Sequence, residues 1–207
     1  MTGLAGDPGA PELWLASASP SRAALLRQAG IEARIEPAGV DEADVKASLR
    51  AQGAEAAHAA ATLAEFKATR VSRRHAGALV VGADQILACG EAWYDKPTDM
   101  DDARRQLRAL SGKRHELLSA VCVARDGAKL WHHTERARMW MREFGEDFID
   151  AYLNAVGTDV LGLVGAYRLE GPGVQLFARV EGDFFGILGL PLLPLLDFLR
   201  GHGVVRK

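Results

Sequence analysis

The stretch Val80–Pro97, VVGADQILACGEAWYDKP, places a single carboxylate, Asp84, inside an apolar run. Valine and isoleucine on both sides of Asp84 predict a strand that lies in the core. A carboxylate buried there must be paired, hydrogen-bonded, bound to metal or protonated, because an isolated buried charge is very unfavourable. We therefore take Asp84 as the candidate chemical centre and look for its partners along the chain.

The composition is that of an ordinary globular chain. Of 207 residues, 48% are hydrophobic and 25% are charged, and the formal net charge is -2. This length suits one domain with a substantial core. We expect residues 12–207 to form that domain, after a disordered tail at 1–11 that is rich in glycine and proline. The charge gives no global attraction to nucleic acid or to anionic membranes, so a bound polyanion must meet a local cluster of Lys and Arg.

Targeting and membrane signals are not recognisable in the sequence. The first residues lack the basic region and apolar core of a signal peptide. The longest apolar stretch, 184–199, is interrupted by glycines, prolines and Asp197, which argues against a membrane span. Cys89 and Cys122 have no metal-binding spacing and are expected to be reduced thiols. The sequence therefore predicts a cytoplasmic protein.

A serine-rich turn follows the first predicted strand, ELWLASA at 12–18. Ser19 suits the N-cap of a helix and Pro20 its first position. The unpaired backbone N–H groups and the positive dipole end there favour an anion. Arg22 in this first turn is unfavourable for the helix dipole, and a polyphosphate over the turn would explain it. The alternative is an ordinary capped helix with a surface arginine.

Further helices and strands alternate along the chain. Alanines at helical spacing predict a helix over 54–75 that carries Lys67 beside its apolar stripe, from which most lysines extend to solvent. Because strands and helices alternate and a hairpin is included, we expect an α/β fold with a mixed sheet. The remaining predictions are a loop at 38–42, a helix at 99–110 with an acidic N-terminus, a hairpin of 115–125 and 128–141, a helix at 144–156, strands at 161–169 and 174–180, and a last helix opened by Pro191.

Two familiar nucleotide-binding motifs and the common zinc motifs can be excluded. The Gly112-Lys113 pair lacks the upstream glycine and the following Ser or Thr of a P-loop, and no G-x-G-x-x-G follows a strand. No H-E-x-x-H spacing occurs. What remains is a dispersed set of polar residues, each with an ordinary explanation when taken alone.

A series of short motifs runs along nearly the whole chain from Leu13. They are LASASPSR at 15–22, VDE at 40–42, LAEFKA at 63–68, VVGADQ at 80–85, DKP at 95–97, LSGKRHE at 110–116 and GLPLLPLLDFL at 189–199. In order and spacing this series resembles that of the Maf proteins, a family of nucleoside triphosphate pyrophosphatases. Each motif alone is weak, but the ordered set is highly specific.

The resemblance implies a fold similar to that of the house-cleaning inosine triphosphatases, an elongated mixed β-sheet flanked by helices with two lobes around a cleft. It also implies hydrolysis of the α-β phosphoanhydride of noncanonical or modified nucleotides, with Mg²⁺ or Mn²⁺ as cofactor. The expected partner is a nucleoside triphosphate, without nucleic acid or membrane. A homodimer is compatible with the resemblance.

The resemblance also assigns roles to residues of this chain. Asp84 falls at the catalytic aspartate, a proton acceptor, and Glu42 at a position associated with the metal. An aspartate between Mg²⁺ and water can act as a ligand or as a base, so Asp84 is a candidate for both roles. The predicted substrate contacts are Ser17, Ser19, Arg22, Lys67 and Lys96.

Several departures from the common pattern concern specificity. Ser21 stands where many members carry a first arginine, and Gly162-Leu163 stands where dTTP- and UTP-cleaving members carry an Asp-Lys pair. Glu170 replaces their glutamine. Together with Gln85, these residues make the chain resemble the subfamily that prefers 7-methyl-GTP. A carboxylate such as Glu170 can accept hydrogen bonds from the guanine edge or attract a methylated, positively charged ring.

Two other functions fit the same charges. One is a regulator of cell division or septum formation that senses a nucleotide without cleaving it, an association that the Maf name carries. The other is a phosphatase that removes the terminal phosphate. Product analysis separates the two enzymes, and the activity of an Asp84 variant separates an enzyme from a sensor.

Overall fold

The computed structural model describes residues 6–207, which form a mixed seven-stranded sheet flanked by helices. The expected α/β fold is thereby confirmed. The strands are β1 (Leu13–Leu15), β2 (Arg34–Ile35), β3 (Leu79–Cys89), β4 (Ala92–Tyr94), β5 (Arg114–Arg125), β6 (Ala128–Met141) and β7 (Phe177–Glu181). The α-helices are α1 (Pro20–Gln28), α2 (Glu42–Ala51), α3 (Ala56–Ser72), α4 (Met100–Leu110), α5 (Glu146–Val156), α6 (Phe184–Ile187) and α7 (Leu192–Gly201).

The predicted N-terminal tail is only partly covered by these residues. Residues 1–5 lie outside the described part of the chain, and the backbone N–H of Asp7 donates to the Gly203 carbonyl at 2.8 Å. The disorder of residues 1–11 stays a prediction. Among residues 6–207, every helix is too short or too polar to cross a membrane.

The sheet has the strand order β2-β1-β3-β5-β6-β7, and β4 pairs with β3. Strand β1 is parallel to both β2 and β3, whereas β4 is antiparallel to β3 and β7 is antiparallel to β6. Leu15 pairs with Val81, and the next N–H, that of Ala16, donates to the Val81 carbonyl at 2.7 Å. This register brings the turn after β1 beside the segment of β3 that carries Asp84.

The chain divides into two compact units. The first runs up to Asp84 and also contains Ser119–Glu135 and Phe184–Lys207; the second contains Gln85–Leu118 and Arg136–Asp183. The boundary therefore lies inside β3, directly after Asp84. The single domain over 12–207 and the cleft between two lobes stay predictions.

An apolar cluster holds the first unit together. Leu15 of β1, Leu26 of α1, Val81 of β3, Val121 of β5 and Leu195 of α7 are all 1% exposed or less. Burial of each such side chain contributes roughly 1.5–3 kcal/mol. The cluster therefore fixes α1 and α7 against the central strands and fixes the N-terminus of α1 near β3.

In the second unit, α4 packs against α5. The buried faces carry Leu107 of α4 and Ile149 of α5. Asp99 caps α4, since its Oδ1 accepts a hydrogen bond from the Asp102 N–H at 2.7 Å. The acidic N-terminus predicted for the helix at 99–110 is therefore confirmed, with Asp101 and Asp102 in the first turn of α4.

Two predicted segments differ from the structure. The predicted loop at 38–42 ends in a helix, because Asp41 caps α2 through the Asp44 N–H at 3.1 Å. The predicted strand at 161–169 is wrong. Short 3₁₀ helices occupy Gly157–Gly162 and Val164–Ala166, and the φ values of Gly165 (75°) and Ala166 (59°) are incompatible with an extended strand.

The strand predicted at 174–180 begins later than expected. A third 3₁₀ helix spans Pro172–Leu176, and β7 starts at Phe177. Pro172 fixes φ at a helical value and follows Gly171, so the extended pattern applies only after Leu176.

Candidate active site

The centre of the site is an ion pair between Asp84 and Lys67. Both side chains are buried, with 3% of Asp84 and 5% of Lys67 exposed. The Lys67 Nζ donates to Asp84 Oδ1 at 2.7 Å and to the Ala83 carbonyl at 3.4 Å. Lys67 therefore does not extend to solvent as most lysines beside an apolar stripe do. Its ammonium compensates the buried carboxylate that the sequence placed in the core.

Glu42 is the second carboxylate on Lys67. Its Oε1 lies 2.7 Å from Lys67 Nζ, and 45% of its side chain is exposed. Partial burial acts to raise the pKa of Glu42, but attraction to Lys67 and the hydrogen bond from it, helped by Lys46 and Arg22, lower the pKa below its ordinary value. Glu42 is therefore ionised at neutral pH. An ammonium has three N–H donors, and Lys67 has three acceptors around it.

Arg22 joins three segments of the first unit. Its Nε donates to the Gly189 carbonyl at 2.8 Å, and its Nη1 donates to the Ala83 carbonyl at 2.9 Å and to Ser17 Oγ at 3.2 Å. Burial lowers the pKa of Arg22, while the negative charges of Asp84 and Glu42 oppose that shift. The guanidinium is thus held by backbone groups beside the carboxylates rather than paired directly with one of them.

The serine turn orders the approach to α1. Ser17 is buried, and its Oγ accepts from the Ser19 N–H at 3.2 Å. Ser19 caps α1 by accepting from the Arg22 N–H at 3.4 Å, and Pro20 occupies the first turn. The predicted cap by Ser19 and the place of Pro20 in the first turn are confirmed. Both hydroxyls are therefore engaged in holding the turn and Arg22.

The residues around Asp84 fit a divalent cation. Asp84 Oδ2 is buried and has no hydrogen-bond partner among residues 6–207. The part of the chain that the structure describes has no group of three His, Cys, Asp or Glu side chains placed to hold a metal. Mg²⁺ in phosphate-transfer sites needs only one or two carboxylates, with phosphate and water completing its shell. Asp84 and Glu42, which contact the same ammonium, satisfy that requirement.

Three predicted site residues belong to the second unit. Gln85 follows Asp84 in β3 and is partly exposed, and Lys96 is exposed in the segment between β4 and α4. Glu170 is exposed, and its Oε1 lies 3.6 Å from Arg168 Nε. The contacts that assemble the site in the first unit involve Ser17, Arg22, Glu42, Lys67 and Asp84.

Two features of the structure were not predicted from the sequence. The first is the use of backbone carbonyls, since Ala83 O accepts from both Lys67 and Arg22. No side-chain pattern encodes such an acceptor. The second is a buried pair in the second unit, where His115 Nε2 lies 2.7 Å from the Tyr167 hydroxyl. Burial lowers the pKa of His115 to about 4, so this imidazole is neutral at neutral pH.

The arrangement provides two cations and two carboxylates around Asp84 Oδ2, a buried oxygen that has no hydrogen-bond partner among residues 6–207. If a phosphate were bound here, Arg22 could offer its oxygens a planar cation and Lys67 a point charge. Asp84 Oδ2 offers a proton acceptor or a metal ligand. These are the parts that hydrolysis of a phosphoanhydride requires.

Curated relatives of this chain are named for the same chemistry. A curated relative from Paramagnetospirillum magneticum, named nucleoside triphosphate pyrophosphatase, is 57% identical over 189 residues, which cover 91% of this chain and 97% of the relative. A relative of the same name from Granulibacter bethesdensis is 53% identical over 191 residues, covering 92% and 97% of the two chains. A relative from Brucella abortus, named 7-methyl-GTP pyrophosphatase, is 51% identical over 189 residues, covering 91% and 95%. The family described as Maf-like protein matches residues 12–202, and the chain therefore belongs to the Maf family.

Proposed function

We propose that this protein is a nucleoside triphosphate pyrophosphatase that cleaves the α-β phosphoanhydride and releases a nucleoside monophosphate and pyrophosphate. The observation that carries the proposal is the buried Lys67–Asp84 pair with Asp84 Oδ2 left without a partner among the described residues. The names of the relatives, with about half of the residues identical over most of the chain, support hydrolysis over the nucleotide-sensing regulator.

In the proposed reaction, a water molecule attacks the α-phosphorus, a new P–O bond forms, and the bond to the bridging oxygen breaks. Asp84 Oδ2 takes the proton of that water, and pyrophosphate leaves with the bridging oxygen. Lys67 and Arg22 stabilise the negative charge that develops on the phosphates. Lys96 is a proposed further phosphate contact, and the N-terminus of α1 holds phosphate oxygens near Ser17.

A divalent cation, Mg²⁺ or Mn²⁺, belongs to this proposal. Glu42 and Asp84 would hold it, and when bound it would neutralise charge on the phosphates. Two experiments on Asp84→Asn separate the roles of this residue. If the variant still binds Mn²⁺, measured by electron paramagnetic resonance, but loses turnover, Asp84 acts as the base; if Mn²⁺ binding is lost, Asp84 is a ligand.

The test of the proposed activity uses the same variant. Asp84→Asn keeps the shape of the side chain, so we expect it to fold, to bind nucleotide and to lose most pyrophosphate release. Asp197→Asn, at an exposed position of α7, is the matched control and should retain turnover. Wild-type turnover in Asp84→Asn would refute the catalytic assignment. Orthophosphate and a diphosphate as products, instead of pyrophosphate and a monophosphate, would refute the bond that we propose is cleaved.

For the substrate, we propose 7-methyl-GTP or a related modified purine nucleotide. Support comes from Glu170 and Gln85 and from the relative named 7-methyl-GTP pyrophosphatase. The test compares kcat/KM for dTTP, UTP, GTP and 7-methyl-GTP. A highest value for dTTP or UTP would refute the proposed substrate. Glu170→Gln should lower the preference for 7-methyl-GTP by about tenfold, the effect of one hydrogen bond to a charged group. Glu181→Gln is the control, because Glu181 pairs with an arginine two residues earlier, Arg179, as Glu170 does with Arg168.

A cytoplasmic location of the protein stays a prediction. A cytoplasmic location would give the enzyme access to the nucleotide pool. The proposed reaction uses residues of one chain, so it does not require the homodimer.

A further inference from the structure

Helix α3 and strand β3 touch at backbone distance beside Gly82. A Cβ atom added to Gly82 would lie 2.2 Å from the Ala64 carbonyl oxygen and 2.6 Å from the Ala68 backbone nitrogen. Ordinary van der Waals contacts begin at 3.4 Å. Any side chain at Gly82 would therefore force the helix and the strand apart by about 1 Å.

This close contact lies on the faces that carry the ion pair. Gly82 and Asp84 are two residues apart in β3, so they point to the same face of the strand. Lys67 lies three residues after Ala64 in α3 and next to Ala68, so its side chain leaves the helix at the same seam. The distance between α3 and β3 at Gly82 therefore controls the distance between Lys67 and Asp84.

We propose that Gly82 is a positioning residue for the reaction, because the missing side chain lets α3 approach β3 closely enough to hold Lys67 at 2.7 Å from Asp84. The inference rests on the proposed function of that pair. A wider seam would separate the two charges and admit water, which weakens their attraction. Displacement of a catalytic group by about 1 Å lowers turnover by about 100-fold.

The first test is Gly82→Ala with Gly201→Ala as its control. An added Cβ at Gly201, in α7 of the same unit, meets no atom within 4 Å. We expect Gly82→Ala to lower kcat by about 100-fold with a smaller change in KM, and Gly201→Ala to stay within about twofold of the wild type. A folded Gly82→Ala protein with kcat within threefold of the wild type, or with a change in KM alone, would overturn the inference.

A second pair of variants decides the matter if Gly82→Ala does not fold. Ala68 and Ala60 are both fully buried in α3, but only Ala68 has its Cβ beside Gly82, 3.0 Å from the added atom. Ala68→Ser should lower kcat at least fivefold more than Ala60→Ser. Equal turnover of these two variants, measured well below their unfolding temperatures, would contradict the role of the seam.

A readout that does not need turnover separates this inference from the proposed function. The Lys67 ammonium should give a protected ¹H–¹⁵N signal in the wild type, because all three N–H groups have acceptors and the group is buried. We expect Ala68→Ser to weaken that protection and Ala60→Ser to leave it unchanged. No pyrophosphate release from the wild type would refute the function; an unchanged signal in Ala68→Ser would refute the positioning by Gly82.

Discussion

Replacement of Lys67 by methionine tests the centre of the site most directly. Methionine keeps the apolar stem of the lysine and removes the ammonium. In Lys67→Met, Asp84 Oδ1 loses the donor that lies at 2.7 Å, and the carboxylate remains 3% exposed. Glu42 also loses its partner, but its side chain is 45% exposed, so water replaces the contact at little cost.

The expected magnitude follows from this asymmetry. Removal of one member of a buried ion pair costs about 3–5 kcal/mol, because the other charge stays buried and uncompensated. Typical domains are stable by only about 5–15 kcal/mol, so the change is a large part of the total. Loss of the neighbouring charge by Asp84→Asn should relieve much of this cost, so the double variant should lose less than the sum of the two single changes.

Urea unfolding at about pH 7.5 measures these free energies for the wild type, Lys67→Met, Asp84→Asn and the double variant. Lys129→Met is the matched control, since Lys129 pairs with Glu65 of the same helix α3 while both side chains are more than a third exposed. The control should lose about 1 kcal/mol or less. A loss in Lys67→Met no larger than that in Lys129→Met, or strict additivity with Asp84→Asn, would refute the argument that Lys67 compensates a buried charge. Failure of Lys67→Met to fold counts as a loss at least as large as expected.

Two further predictions concern His115 and Arg22. Burial lowers the pKa of His115 to about 4, so below its unfolded pKa of about 6.5 the unfolded chain binds a proton that the folded chain does not. His115 alone should therefore lower the free energy of unfolding by about 3 kcal/mol between pH 6.5 and 4. His115→Gln should flatten this part of the urea-midpoint curve, with His202→Gln as the exposed control. An unchanged slope in His115→Gln would contradict the assignment. Arg22→Lys should lower kcat/KM at least about tenfold, because a point-charge ammonium does not reproduce the planar group whose Nε and Nη1 reach two separate carbonyls. Arg27→Lys on the same helix should have no effect, and equal kcat/KM in both variants would contradict the role of Arg22.

Local patterns were sufficient to predict the frame of the site. Asp84 was predicted in a core strand because apolar residues surround it, and it lies in the middle of β3 with 3% of its surface exposed. The cap of α1 by Ser19 and Pro20 was predicted from residue preferences that act within one turn. Such signals depend on neighbours in sequence, so they can be recognised without the fold.

The partners of Asp84 depend on contacts between distant segments. Lys67 lies beside the apolar stripe of α3, where a lysine extends to solvent unless a buried acid meets it, and only the tertiary fold supplies Asp84. The helix that begins at Glu42 has no buried residue, so no apolar periodicity marked it. Its available signal was Asp41 followed by acids in the first turn, which fits an N-cap as well as a solvated loop.

In the proposed reaction, the acceptors around Lys67 limit how a phosphate can reach the ammonium. Its three N–H donors face Asp84, the Ala83 carbonyl and Glu42, so a phosphate oxygen that contacts the ammonium must replace one of these acceptors. Asp84 is buried, and loss of the bond from Lys67 would leave its Oδ1 without that donor. The Ala83 carbonyl is also buried, although it keeps the hydrogen bond from Arg22 at 2.9 Å. Glu42 is the exposed acceptor, and water can solvate it after release. We therefore expect Glu42 to hold Lys67 in place before the substrate arrives and, as the exposed acceptor, to be the group that an entering phosphate displaces.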